Sequence, residues 1–284
     1  MRYRTDLAME AYTLWQKDAE QTTALPGVKA REEDALGVHI TRVEILDSRG
    51  ERALGKPKGR YVTLELHDFA KRAPGSFEQA AQAIAHEAAA FLQGPASALC
   101  AGLGNEAVTP DALGPRALES ILVTRHLKER MPQAFSGFCS VSAIRPGVIG
   151  TSGIESLELV RAAADVAGAA CVIVLDALAA MDPARLCTTV QLTDAGLAPG
   201  SGIGNCRAAF TRKSLGRSVL AVGVPTLMDA ERLAPEASGG ISGLIVTPRD
   251  VDARVREIAR AVGTGLSLAL HPGLTVSDVA AFLA

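Results

Sequence analysis

The chain has 284 residues, 48% of them hydrophobic, and a formal net charge of −2 at pH 7. That composition can fill a sizeable core, as one large domain or one domain with an appendage, and the charge balance argues against an electrostatic nucleic-acid binder. No apolar run approaches a membrane span, and Met1-Arg-Tyr-Arg-Thr-Asp6 lacks the apolar region of a signal peptide. The five cysteines, Cys100, Cys139, Cys171, Cys187 and Cys206, are scattered and mostly set in apolar runs without any Cys-x-x-Cys or Cys/His pairing. This is the usage of reduced thiols in a cytoplasmic protein, with no zinc site.

Residues 1 to about 35 read as polar and irregular, with a turn at Leu25-Pro26-Gly27. Val38–Leu46 and Arg60–Leu66 alternate apolar and polar residues and are expected to pair as an antiparallel hairpin. Phe77–Leu92 is an alanine-rich helix. The run Ala98–Ala101 is a strand that leaves a sheet through Gly102-Leu103-Gly104-Asn105. Thr109-Pro110-Asp111 then reads as a helix start, with Thr109 as N-cap and Pro110 at the first position. Ser140–Ile144 is a short strand, and a helix starts at Ile154-Glu155. Ala169–Leu175 is the most apolar stretch and reads as a parallel-type strand buried on both faces, ending in Asp176. Thr188–Leu192, Ser218–Val224 and Leu244–Thr247 are further strands. The glycine-rich loop Thr193–Asn205 suits close approach of backbone N–H groups to a ligand. A helix follows Pro248, and the apolar tail from Ser267 docks on the body. Strands alternating with helices imply a three-layer α/β domain with a mostly parallel sheet. The expected organisation is residues 1–6 as a propeptide and 7–284 as a single domain, with 35–66 as a hairpin appendage.

Three chemistries compete. Gly102-Leu103-Gly104-Asn105-Glu106-Ala107 matches GxGxxA, but the helix start falls later and no acid follows at the expected spacing, so a dinucleotide site is disfavoured. No Gly-x-Ser-x-Gly elbow exists, and Cys187 and Ser201 lack an evident general base. Asp111 and Asp176 remain, each assigned to the carboxyl end of a strand, where open α/β sheets place ligands. Two such carboxyls can share a proton and activate water against a peptide bond. They can equally hold a divalent cation, with Asp194 or His126 as a third ligand.

The blocks Gly102–Asn105, Val108–Pro115, Thr124-Arg125-His126, Pro146–Val148, Gly153–Glu155, Asp176–Ala179, Pro199–Asn205 and Gly223–Thr226 occur together and in order. In this the chain resembles the germination protease family of endospore-forming bacteria. The resemblance implies a fold similar to hydrogenase maturation proteases, a zymogen, a homotetramer and a place in the spore core. It also implies an unusual aspartic endopeptidase that cleaves small acid-soluble spore proteins, without a cofactor, nucleic acid or membrane partner. The family's two proposed catalytic aspartates map to Asp111 and Asp176. Its motif blocks carry Asn105, His126, Glu155, Asp194, Ser201 and Asn205 as supporting or substrate-binding residues. In the related maturation proteases the acid after Gly-x-Gly-Asn is a metal ligand, which keeps one divalent cation as the alternative. Asp194-Ala195-Gly196 and Ala180-Met181 depart from the family pattern, and the segment between Met228 and Leu244 is short for it. Family substrates are cut within Thr-Glu-Phe/Ile-Ala-Ser-Glu, and Thr5-Asp6-Leu7-Ala8-Met9-Glu10 resembles that pattern. Self-cleavage is therefore expected between Asp6 and Leu7.

Overall fold

In a computed structural model, whose described residues are 5–18, 25–200, 207–233, 241 and 243–284, nine strands form one sheet. They are β1 (Val28–Ala35), β2 (Val38–Ile45), β3 (Gly59–Glu65), β4 (Ser97–Gly102), β5 (Ser140–Ile144), β6 (Cys171–Ala180), β7 (Thr189–Thr193), β8 (Ser218–Asp229) and β9 (Ile245–Val246). Their order is β1-β2-β3-β7-β8-β6-β4-β5, with β9 added beside the far end of β8. The β8-β6-β4-β5 block is parallel, and every other pairing is antiparallel. The expected hairpin forms, as β2 and β3. It is a continuation of the central sheet and not an appendage, because β3 pairs with β7. The parallel character is accordingly confined to the centre.

The core sits on both faces of the parallel block, as the alternation of β6 requires. On one face Cys171, Ile173 and Leu175 pack with Ile84 and Ala88 of the helix Ser76–Leu92 and with Ile258, Val262 and Leu266 of the helix Val251–Leu270. On the other, Val172 and Val174 meet Leu157, Val160 and Ala164 of the helix Ser156–Ala167. This is the three-layer arrangement. The two helices on the first face lie close because Gly265 has no Cβ, which would stand 2.8 Å from the Ala81 carbonyl oxygen.

Several sequence assignments need correction. The first 35 residues are not irregular: Ala8–Asp18 is a helix and Val28–Ala35 is β1. Apolar Ala8, Val28, Val43, Ile45 and Tyr61 bury that helix against the antiparallel strands. Asp176 does not end its strand, since β6 runs on to Ala180. Pro225-Thr226 likewise does not end β8, which continues to Asp229. A register irregularity between Leu178 and Ala179 lets the two strands pair past the proline. Thr109 is not the N-cap; Val108 holds that position and Thr109 donates instead to Asp252 at 2.6 Å. The last long helix starts at Val251 and reaches Leu270, and a further helix, Val276–Leu283, follows. Cys100, Cys139, Cys171 and Cys187 are buried free thiols, as composition suggested. No helix among the described residues is long and apolar enough to cross a membrane.

His271 closes the junction between the last two helices. It is buried, Nε2 donates to the Leu122 carbonyl at 3.3 Å, and Nδ1 has no partner. Phe138 lies against the ring and Lys128 is the nearby charged group. Burial, with Lys128 adding to it, holds the imidazole below its ordinary value of 6.5. The unfolded chain therefore binds this proton more readily, so the contribution is present above pH 6.5 and lost as pH falls through the depressed folded value. The unfolding free-energy gap between the parent and His271→Gln should shrink from pH 8 to pH 5 in urea titrations.

Candidate active site

Strand β4 stops at Gly102, opposite Leu175 of β6. From Asp176 onward, one edge of β6 is no longer covered by β4. On the other edge, Asp176 faces Gly223 of β8. Parallel strands that end at different heights leave a crevice of this kind at their carboxyl ends.

The turn carrying Asp111 folds into the space beyond β4, and its backbone approaches unusually closely. A Cβ on Gly102 would stand 2.5 Å from the Gly114 carbonyl oxygen, and one on Gly114 would stand 2.5 Å from the Leu175 carbonyl oxygen. Gly104 has φ +110°, and a side chain there would run into the Asp111 carbonyl. The packing is pinned from two sides. Leu103 N–H donates to Leu175 at 2.8 Å, and the fully buried Thr226 hydroxyl donates to the Pro110 carbonyl at 2.6 Å.

Asp111 and Asp176 thereby line one cavity of about 290 Å³, together with Gly104, Glu155, Ala177 and Arg207. Asp111 is half-buried and accepts from the Asn105 N–H at 2.7 Å. Burial raises its carboxyl above the ordinary value of 3.8, and that hydrogen bond opposes the shift. Asp176 is 4% exposed, and its carboxylate accepts from the neighbouring Ala177 N–H at 3.0 Å. Burial raises its carboxyl well above 3.8, and the charges of Asp111 and Asp6 raise it further. Both carboxyls in this crevice are thus raised, Asp176 the further of the two.

Asp6 lines the same cavity. Its N–H donates to the Ala179 carbonyl at 3.0 Å, and its carboxylate accepts from the Ala179 N–H at 2.9 Å. It thus takes the edge of β6 that β4 has vacated. The next residues are anchored deeply. Leu7 is fully buried among Leu178, Ala180, Leu186 and Met228. Glu10 accepts from Met181 N–H at 2.9 Å and Asp182 N–H at 2.9 Å, and bonds the Thr5 hydroxyl.

Of the supporting residues expected from sequence, Glu155 reaches the cavity, and Asn105 serves through its backbone. Ser201 and Asn205 lie outside the described residues. Two expectations are overturned. Asp194 is turned to the antiparallel side, where it accepts from Arg60 Nε and Arg60 N–H, each at 2.8 Å. His126 lies in a separate groove with Val123, Glu129 and Val166. Neither stands beside the aspartates as a third metal ligand. Among the described residues no group of three His, Cys, Asp or Glu side chains is placed to hold a metal ion. Sequence reading gave no role to Gln191 and Lys56, which act on this region from outside the motif blocks.

Comparisons with known proteins point to one family. A family model described as germination protease matches residues 6–241. A germination protease of Caldanaerobacter subterraneus subsp. tengcongensis is 40% identical, covering 97% of this chain and 96% of its own length. One from Clostridium tetani is 33% identical over the whole of both chains. The [NiFe] hydrogenase maturation protease HycI from Thermococcus kodakarensis covers 63% of this chain at 14% identity, with a TM-score of 0.37. That likeness is too slight to argue from.

The raised carboxyl of Asp176 sets a stability cost. Its neutral form contributes fully below the ordinary carboxylate range, and the contribution is lost as pH rises toward the shifted folded value. Asp176→Asn should therefore be more stable than the parent, by a margin that widens from pH 4 to pH 8 in thermal or urea unfolding. Gly114→Ala should act oppositely. Its methyl meets only backbone, so a loss of about 1–3 kcal/mol is expected, as for overpacking elsewhere.

Proposed function

The chain belongs to the germination protease family, and from that membership we propose that it is an endopeptidase of spore germination that cleaves small acid-soluble spore proteins. Water is activated between Asp111 and Asp176, and the chain is made as a zymogen that opens its own Asp6–Leu7 bond. The observation that carries the aspartic reading is that these two carboxyls, far apart in sequence, line one cavity with both pKa values raised.

Their environments divide the work. Asp111 is the more exposed and has an N–H donor that favours its ionised form, so it serves as general base for the water. Asp176 is buried beside that charge, so it keeps the proton and gives it to the leaving nitrogen as general acid. Each turnover returns the pair to one shared proton, because the base has gained what the acid has lost.

The exposed edge of β6 suits an extended peptide. Asp6 already pairs there through its backbone N–H, so a substrate can add in the same way with the scissile bond beside the aspartates. For self-cleavage, the favourable feature is that the peptide is already seated. Leu7 is locked in an apolar pocket, Glu10 is held by two N–H groups, and Asp6 lies in the catalytic cavity.

The cation alternative uses the same two carboxylates as ligands, and chelation separates the two readings. Asp111→Asn and Asp176→Asn should each remain folded and lose at least about a thousandfold in turnover on spore proteins, the order seen when a member of a catalytic unit is removed. The parent should keep its activity after dialysis against a strong chelator. Activity lost to chelation and restored by one particular divalent ion would replace the aspartic mechanism with a metal-bound hydroxide.

A further inference from the structure

The side chain of Gln191 grips the peptide bond at Asp6–Leu7 from the side opposite the solvent. Gln191 lies on β7 and is 5% exposed. Its Nε2 donates to the carbonyl oxygen of Asp6 at 3.1 Å, and its Oε1 accepts from the N–H of Ala8 at 2.8 Å. The two contacts flank Leu7, and the oxygen held is that of the carbonyl that self-cleavage attacks. Lys56 supports the same stretch by donating to the Thr5 carbonyl at 2.6 Å, with the charges of Asp6 and Glu10 near its ammonium.

We propose that Gln191 is a catalytic residue of self-processing, supplying the hydrogen bond that stabilises the oxyanion at Asp6. This rests on the reading that the chain opens its own Asp6–Leu7 bond. In the step, a water oxygen bonds to the Asp6 carbonyl carbon while one proton of that water passes to the ionised aspartate. The carbonyl electron pair moves onto the Asp6 oxygen, where Gln191 Nε2–H meets it. That pair then returns, the carbon–nitrogen bond breaks, and the proton held by the other aspartate goes to the Leu7 nitrogen. The products are a carboxylic acid at Asp6 and an amine on Leu7, between which that acid proton then passes to give carboxylate and ammonium, and water is the sole co-reactant. A donor fixed before the reaction is worth most in a water-poor site, because no reorganisation is needed when charge develops. Gln191 is fixed in this sense: it is buried in a strand paired on both sides, and its Oε1 is already engaged by Ala8.

The ground-state contact alone would only show that Gln191 helps to seat the segment. Two substitutions separate seating from catalysis. Gln191→Met removes donor and acceptor at similar volume. Gln191→Glu keeps an oxygen for Ala8 N–H and offers a donor to Asp6 only when the carboxyl is neutral. Self-processing of the full chain is followed by mass spectrometry of the fragment ending at Asp6, at several protein concentrations and across pH. The parent should process at a rate independent of concentration. Gln191→Met should be slower by about 10²–10³-fold, the loss typical of removing one such donor, at every pH. For Gln191→Glu, the parent-to-variant rate ratio should rise with pH as its carboxyl ionises. A Gln191→Met chain that processes within a few fold of the parent, or a Gln191→Glu ratio that stays flat with pH, overturns the role of Gln191 while leaving self-cleavage intact. A fully active parent with an intact Met1 terminus overturns both. Should Gln191→Met fail to fold, the pH course of Gln191→Glu decides the matter.

Discussion

Everything at the site depends on one pairing: β6 stays hydrogen-bonded to β8 past Asp176 while β4 stops beside Leu175. The ladder, in regular register from Cys171 through Leu178, keeps the Asp176 backbone rigid and its carboxyl away from water. The early end of β4 opens the space beside it, which the Thr109–Asp111 turn and Asp6 then enter. If β6 frayed at Leu175, Asp176 would relax into solvent as an ordinary carboxylate, with no raised pKa and no shared proton. Glycines make this geometry possible. Gly223 stands opposite Asp176, where a Cβ would meet Leu178 at 2.5 Å, and Gly102 and Gly114 let the Asp111 turn lie on the sheet edge.

That arrangement is costly for the folded state, since burying an ionised group against like charges is unfavourable. Among the described residues, the influences that shift the Asp176 carboxyl are burial, two carboxylates and one N–H, with no cation among them. Elsewhere the chain treats buried carboxylates differently. Glu87 is paired with Arg42 at 2.8 Å, and Glu10 is surrounded by N–H groups with Arg185 at 3.6 Å. The contrast sets Asp176 apart: its carboxyl is raised by burial and like charge, whereas Glu87 and Glu10 are anchors held by a guanidinium or by N–H donors.

Much of the architecture was legible in the sequence because its signals are local or periodic. The apolar run at Cys171–Leu175 announced a strand buried on both faces, and the alternation in β2 and β3 announced their antiparallel pairing. Thr109-Pro110-Asp111 announced a helical turn, although the Thr109 side chain turned outward to Asp252. What was illegible depends on long-range placement. Nothing local to Asp194 shows that it faces Arg60 on β3, and nothing local to His126 shows that its helix opens into another groove. Gln191 lies in a strand correctly anticipated from its β-branched neighbours. Its importance comes from residues 6 and 8, which β-periodicity cannot bring to it. The N-terminal helix was hidden because its apolar face is modest and borrows stability from β1–β3, which packing supplies and propensity does not.

The seat of the N-terminal segment also constrains how the site can be shared between the chain's own peptide and others. Asp6 uses its N–H and its carboxylate on Ala179, so it competes with any incoming strand for the same β6 edge. Leu7 and Ala8, in contrast, are wholly buried in two different apolar clusters, and Glu10 is tied to Met181 and Asp182. Severing the chain after Asp6 would release Asp6 from the cavity. It leaves the core contacts of Leu7 and Ala8 and the N–H bonds to Glu10 in place, and removes only the Thr5 hydroxyl from Glu10 and from the Leu7 N–H. It also takes a negative charge away from Asp176 and leaves an amine close by, and both changes ease ionisation of the aspartate pair. Opening that one bond thus clears the β6 edge and retunes the carboxyls without repacking the domain.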